Sequence, residues 1–173
     1  DMNVEALVLG IGNDFRCDDG VGVAVARRIA ELRIVGIRVM IDVGDPGSVL
    51  DAWTDVPLVI AVDAARCDAA QPGRIRRWSP GCHAASAVVS SHGFGLAQTL
   101  SLGEALGRLP RRLVIFTVDV EDVSRQATLT PAVASIVPQV VEAILTELES
   151  DAWAARHRPP RGLSRPEKTF GSA

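Results

Sequence analysis

The sequence predicts an α/β fold: a three-layer α/β/α arrangement built on a mostly parallel, twisted, doubly wound sheet. Three observations carry this. Residues 6–10, 57–62 and 113–118 are apolar almost without interruption, as strands buried on both faces are. Stretches with apolar residues at helical spacing separate them. The 173 residues are 47% hydrophobic, enough to fill a sizeable core in one domain and too apolar for a disordered chain.

The first strand, 6–10, ends in Gly10, and a loop to Asp19 leads into a helix marked by Val21, Val25, Ile29 and Leu32. Residues 37–43 form a second strand. Gly44-Asp45-Pro46-Gly47 is turn material before a short helix at 48–53, whose apolar positions are Val49, Leu50 and Trp53. A third strand, 57–63, closes on Asp63. The least regular stretch is 64–91, within which 73–78 suits an edge strand. Leu96, Leu100, Leu102 and Leu106 mark a helix, and 113–118 a further strand. The last helix has Thr130 as N-cap, Pro131 at its first position and a stripe of Val133, Ile136, Val137, Val140, Val141, Ile144 and Leu148. Pro138 inside it should produce a kink. The domain is expected to span residues 2–150. Residues 151–173 form a basic, Pro/Arg-rich flexible tail without periodicity.

Charge is unevenly spread. The tail holds five basic and two acidic side chains, net +3, whereas the other 150 residues hold 13 and 19, net −6. An acidic domain repels phosphate, so no nucleic-acid partner is expected. Cys17, Cys67 and Cys82 lie far apart without a CxxC, which fits neither a disulfide framework nor a zinc knuckle. Reduced thiols suit the cytoplasm. The longest apolar runs are strand-sized and no basic-apolar leader precedes them, so neither membrane insertion nor secretion is expected.

In an open parallel sheet, ligands bind beyond the carboxyl ends of the strands, near the reversal of strand order. Three sets of residues fall in such places. Gly10-Ile11-Gly12 turns sharply off the first strand, and Asp18-Asp19 then stand at the mouth of a helix. Asp63 ends the third strand, and Ser90-Ser91-His92-Gly93 precedes a helix. Asp18 suits the cap of the first helix, which leaves Asp19 for chemistry. Were the first and third strands neighbours, as in a 2-1-3 order, Asp19 and Asp63 would enter one crevice. With His92 they make a facial oxygen and nitrogen set for a divalent metal. The residues equally allow an acid pair for general acid–base work.

Familiar machineries are missing. Phe15 stands where a dinucleotide fingerprint needs its third glycine, and the only lysine, Lys168, lies in the tail, so there is no GxxxxGK[ST] loop. No GxSxG or HExxH motif occurs. Cys17 beside two acids is poorly placed to become a thiolate nucleophile.

Gly10-x-Gly12-Asn13-x-x-x-x-Asp18-Asp19-x-x-Gly22 resembles the opening motif of the hydrogenase maturation endopeptidases. Three further blocks resemble that family in order: Val59-Ile60-Ala61-Val62-Asp63-Ala64, Ser91-His92-Gly93-Phe94-Gly95-Leu96 and Leu129-Thr130-Pro131-Ala132-Val133. Together they cover about residues 4–150. The resemblance implies a phosphorylase/hydrolase-like fold. It also implies an endopeptidase that removes the C-terminal extension of a nickel-iron hydrogenase large-subunit precursor after nickel insertion.

The family's catalytic, metal-contacting positions carry over to Asp19, Asp63 and His92. They imply contact with nickel carried by the substrate rather than a permanently bound cofactor. The expected partner is the large-subunit precursor, with no membrane partner, and the protein a monomer or weak oligomer. Metal-activated water is favoured over a covalent intermediate. The alternative is a non-proteolytic nickel-binding assembly factor; a flavodoxin-like nucleotide binder is disfavoured. One departure stands out. Relatives usually read Asp-Gly-Gly-Thr where this chain has Asp42-Val43-Gly44-Asp45, so Val43 and Asp45 are expected to bear on substrate choice.

Overall fold

The computed structural model describes residues 4–12, 17–42, 45–65, 71–79, 96–120 and 128–156. Five strands form one sheet: β1 (Ala6–Ile11), β2 (Ile37–Asp42), β3 (Leu58–Ala65), β4 (Ile75–Trp78) and β5 (Arg112–Asp119). Their order is β2-β1-β3-β5-β4, so the first and third strands are neighbours, as the 2-1-3 order requires. All pairings are parallel except β4 with β5, which places the expected edge strand antiparallel at one margin.

Helices cover both faces. On one side α1 (Val21–Glu31) and the last helix α4 (Pro131–Arg156) pack through Val21, Val25, Ile29, Val133, Val137, Val140 and Ile144 against Val8, Ile60, Val62 and Val114. On the other, α2 (Pro46–Trp53) and α3 (Leu96–Ala105) bring Val49, Leu50, Trp53 and Leu96 onto Leu7, Leu9, Val59 and Ile115. Alternate residues of each central strand thus feed opposite core layers, which is why these strands read as unbroken apolar runs.

Three of the strand and helix expectations are revised. Asp63 does not end its strand: β3 continues to Ala65, because β5 beside it offers pairing partners as far as Asp119. The leucine stripe of α3 is only partly inward. Leu96 is buried, but Leu102 and Leu106 are exposed and Gly103 takes an inward position. A Cβ on Gly103 would stand 3.0 Å from Leu109, 3.2 Å from Leu50 and 3.3 Å from Trp53, so its hydrogen lets α3 approach α2 closely. Leu32, at the C-cap of α1, is likewise exposed.

At the chain's far end, the last helix runs from Pro131 to Arg156 with an exposed Pro138 inside it, and so extends past residue 150. Its segment Pro131–Ser150 is long and apolar enough to cross a membrane by length and composition. Here its apolar stripe is spent on the sheet, as in a core helix. Residues 157–173 lie outside the described residues, as do Val43, Cys67 and Cys82.

Candidate functional site

The chain leaves β1 through Gly12, whose φ of +143° L side chains rarely adopt. A Cβ there would lie 2.0 Å from the Asp19 carbonyl oxygen, so glycine is what allows the next turn to fold back onto the strand end. That turn is a 3₁₀ segment, Cys17–Gly20, leading directly into α1. Gly22 in the first turn of α1 is equally confined. Its added Cβ would stand 2.3 Å from the carbonyl oxygen of Ile11 and 2.5 Å from that of Val62. Two glycines therefore seat the start of α1 directly on the ends of β1 and β3.

This seating brings two of the three expected site residues together at one end of the sheet. Asp19 lies in the 3₁₀ turn, which packs against β3, and Asp63 follows Val62, the last β3 residue paired with β1. Both are buried, at 3% and 8% exposure. The Asp63 Oδ1 accepts the N–H of Ala64 at 2.8 Å, which orients the carboxylate from its own strand. The third, His92, lies outside the described residues. Among the described residues no group of three Asp, Glu, His or Cys forms a metal-holding cluster. Two buried carboxylates beside each other's strand ends offer anionic oxygens to a divalent cation or a place for a proton.

Asp18 does not cap α1. The N-cap of that helix is Gly20, with no side-chain capping bond. The Asp18 carboxylate is fully buried and turned to the far end of the chain. Its Oδ1 accepts the N–H of Thr130 at 2.7 Å and its Oδ2 the Thr130 hydroxyl at 2.9 Å. The 3₁₀ turn explains this, since it places Asp18 two residues ahead of the N-cap Gly20 and against the entry to α4. Thr130 is the N-cap of α4 by position, its carbonyl accepting the N–H of Ala134 at 2.8 Å, but its hydroxyl serves Asp18.

A further acid escaped the sequence analysis. Asp119, fully buried, ends β5 beside Ala65 of β3. In the sheet's alternation Asp63, Thr117 and Asp119 share the face that α2 and α3 cover. Asp119 Oδ2 accepts the Arg76 guanidinium at 2.9 Å and the N–H of Gln71 at 3.1 Å, while the Trp78 indole N–H donates to the Thr117 hydroxyl at 2.9 Å. The signal was available: like Asp63, Asp119 is an acid closing a long apolar run.

Asp45 has a local task. It is exposed and N-caps α2, accepting the N–H of Gly47 at 3.2 Å and the Ser48 hydroxyl. The Ser48 hydroxyl, ahead of the backbone N–H groups of Gly47 and Ser48, holds its carboxyl below the ordinary value. Asp45 thus serves the helix as a capping side chain.

Comparison with known proteins agrees with this architecture. A family model described as hydrogenase maturation protease matches residues 24–147, a span that begins just past Asp19 and includes the positions of Asp63 and His92. The hydrogenase 2 maturation protease of Escherichia coli K12 is 28% identical over 153 residues, covering 86% of this chain and 93% of that protein. Among solved structures, the hydrogenase maturating endopeptidase HybD from E. coli superimposes with a TM-score of 0.73 at 23% identity, over 84% of this chain and 93% of that one. The [NiFe] hydrogenase maturation protease HybD from Thermococcus kodakarensis gives 0.65 at 22% identity, over 83% and 98%. The family model spans well over half of the chain and the fold agrees with it: this protein is a peptidase of the hydrogenase maturation protease family.

Proposed function

We propose that this peptidase removes the C-terminal extension of a nickel-iron hydrogenase large-subunit precursor after nickel insertion, recognising the nickel that the substrate carries. Asp19, Asp63 and His92 are the residues assigned to that contact. The observation that carries the proposal is the burial of Asp19 and Asp63 at the carboxyl ends of adjacent strands, in a chain of this family. Two carboxylates and one imidazole are too few donors to hold nickel tightly alone. Such a set grips the ion only when the substrate supplies the remaining ligands, so an unloaded precursor is passed over. The reaction is hydrolysis: water adds to the scissile carbonyl, the C–N bond breaks, and the extension leaves with a new amino terminus. The large subunit keeps the new carboxylate.

The test is cleavage of matched precursors with and without nickel, read by the mass of the released peptide. The loaded form should be cut and the empty form left intact, with the purified peptidase itself largely nickel-free. His92→Ala and Asp63→Asn should each lower cleavage by at least about a hundredfold, more than is typical for groups standing behind metal ligands. Equal cleavage of both precursors would sink nickel recognition. Cleavage of neither would favour the non-proteolytic assembly role.

A further inference from the structure

We propose that Asp18 and Thr130 form a positioning clasp that fixes Asp19 for its work on the substrate; this rests on the site assignment above. The two residues are 112 positions apart in the chain, and both carboxylate oxygens of Asp18 accept from Thr130, one from its backbone N–H and one from its hydroxyl. Charge-assisted bonds of this kind are about twice as strong as neutral ones, and two on one carboxylate fix its orientation as well as its position. The partner is itself rigid. Thr130 is held by the first hydrogen bond of α4, and α4 packs against α1, the helix that the 3₁₀ turn feeds.

Asp19 is the next residue, and its other side is equally constrained. Its carbonyl lies against the bare Cα of Gly12, where a methyl group would collide at 2.0 Å. The Asp19 backbone is therefore set between the end of β1 and the start of α4. A rigid backbone at this point defines where the Asp19 carboxylate stands relative to Asp63 on β3.

The cost of the arrangement favours positioning over stability as its purpose. A fully buried carboxylate loses its hydration and depends on directional bonds such as those from Thr130 to replace it. An apolar pair at positions 18 and 130 would hold the two segments together by packing, though it would leave the Thr130 N–H without this acceptor. What it would not supply is directional control of the adjacent residue. The clasp also joins the chain segments carrying the first and last of the four sequence blocks, beside the packing of α1 on α4.

Asp18→Ala confounds folding with function, because it removes two bonds at once and strands the half-buried N–H of Thr130. The informative variants are Thr130→Val, which removes only the hydroxyl bond at nearly constant volume, and Thr130→Ser, which restores it. Kinetics should be measured on the full chain with the nickel-loaded large-subunit precursor, beside Asp19→Asn as reference. Thr130→Val should lower kcat roughly ten- to a hundredfold, the scale of a small misplacement in a reacting group. KM should stay within about twofold, and Thr130→Ser should stay near wild type.

A loss in Thr130→Val explained by its unfolded fraction, read from its melting curve, would overturn the clasp. So would wild-type kcat in Thr130→Val while Asp19→Asn is crippled. Should Asp19→Asn itself cleave normally, the site assignment fails and the clasp with it, an outcome distinct from failure of the clasp alone.

Discussion

Two connections leave neighbouring parallel strands at the same end of the sheet, and they treat their aspartates in opposite ways. After β2, Asp45 is exposed and caps α2 through Gly47 and Ser48. After β1, Asp18 and Asp19 are buried, α1 has no side-chain cap, and Asp18 reaches instead to Thr130. The difference follows from what lies around each turn. The β2–α2 connection is at the sheet margin, where β2 has β1 as its one neighbour, so water solvates the turn and a local cap is the best use of a carboxylate. The β1–α1 connection starts from a central strand and is pressed onto it by Gly12 and Gly22, so its carboxylates meet protein rather than water. Aspartate at a helix entrance is a cap where it is wet and a tertiary tie where it is dry.

The largest effect should come from breaking the dry turn at Gly22. Alanine there drives a methyl group toward the carbonyl oxygens of Ile11 and Val62, both held in the central strands of the sheet. Neither can yield without disturbing strand pairing, so Gly22→Ala should cost on the order of 3 kcal/mol, the upper range for overpacking. Urea denaturation measures it. A cost under about 1 kcal/mol would show that α1 can slide along the sheet and that the turn is less tightly set than its contacts imply.

Asp18→Ala comes next. It removes both Asp18 acceptors from Thr130 and leaves a half-buried N–H behind, a loss of about 1 kcal/mol, the low end of the penalty for a stranded donor. The same substitution at position 45 strands nothing, because water reaches the N–H groups it uncaps. Measuring the two side by side compares the dry and wet aspartates directly. Equal losses would dissolve the distinction between them.

Most of the architecture was legible because it is written in local patterns. The apolar runs of β1, β3 and β5, the Val and Ile stripe of α4, and Thr130-Pro131 at its start each follow from the spacing of nearby residues. Strand order followed from a general preference that this sheet obeys. Asp18 was misassigned because a cap and a long-range tie share one local signature, an aspartate before a helix, and only the position of Thr130 separates them. The outward Leu102 and Leu106 have a similar cause, since Gly103 looks like a gap in a stripe until Trp53 and Leu50 are placed beside it. Asp119 carried the same signal as Asp63 and lacked only a motif around it. Of the candidate site, the sequence placed Asp19 and Asp63 near one end of the sheet, where both are buried; which carboxylates are solvated is a property of packing, not of spacing.

The smallest effect sharpens the wet side of the comparison through pH. The Asp45 carboxyl is held below its ordinary value in the fold, chiefly by the Ser48 hydroxyl, so the capped form favours the anion. Its contribution is fully present above the value of an unfolded aspartate, about 3.9, and is lost as pH falls through the lower folded value. Wild type should therefore melt slightly above Asp45→Ala at neutral pH, with the gap closing as the pH falls from about 4 toward 2. Asp45→Ser caps without a charge, so its margin over Asp45→Ala should persist across that interval. Melting curves of the three proteins at several acid pH values decide the matter. A wild-type margin that survives at pH 2 would mean that the carboxylate's charge is not what caps α2, and that the exposed turn owes its order to Pro46 and the packing of Val49 and Leu50 instead.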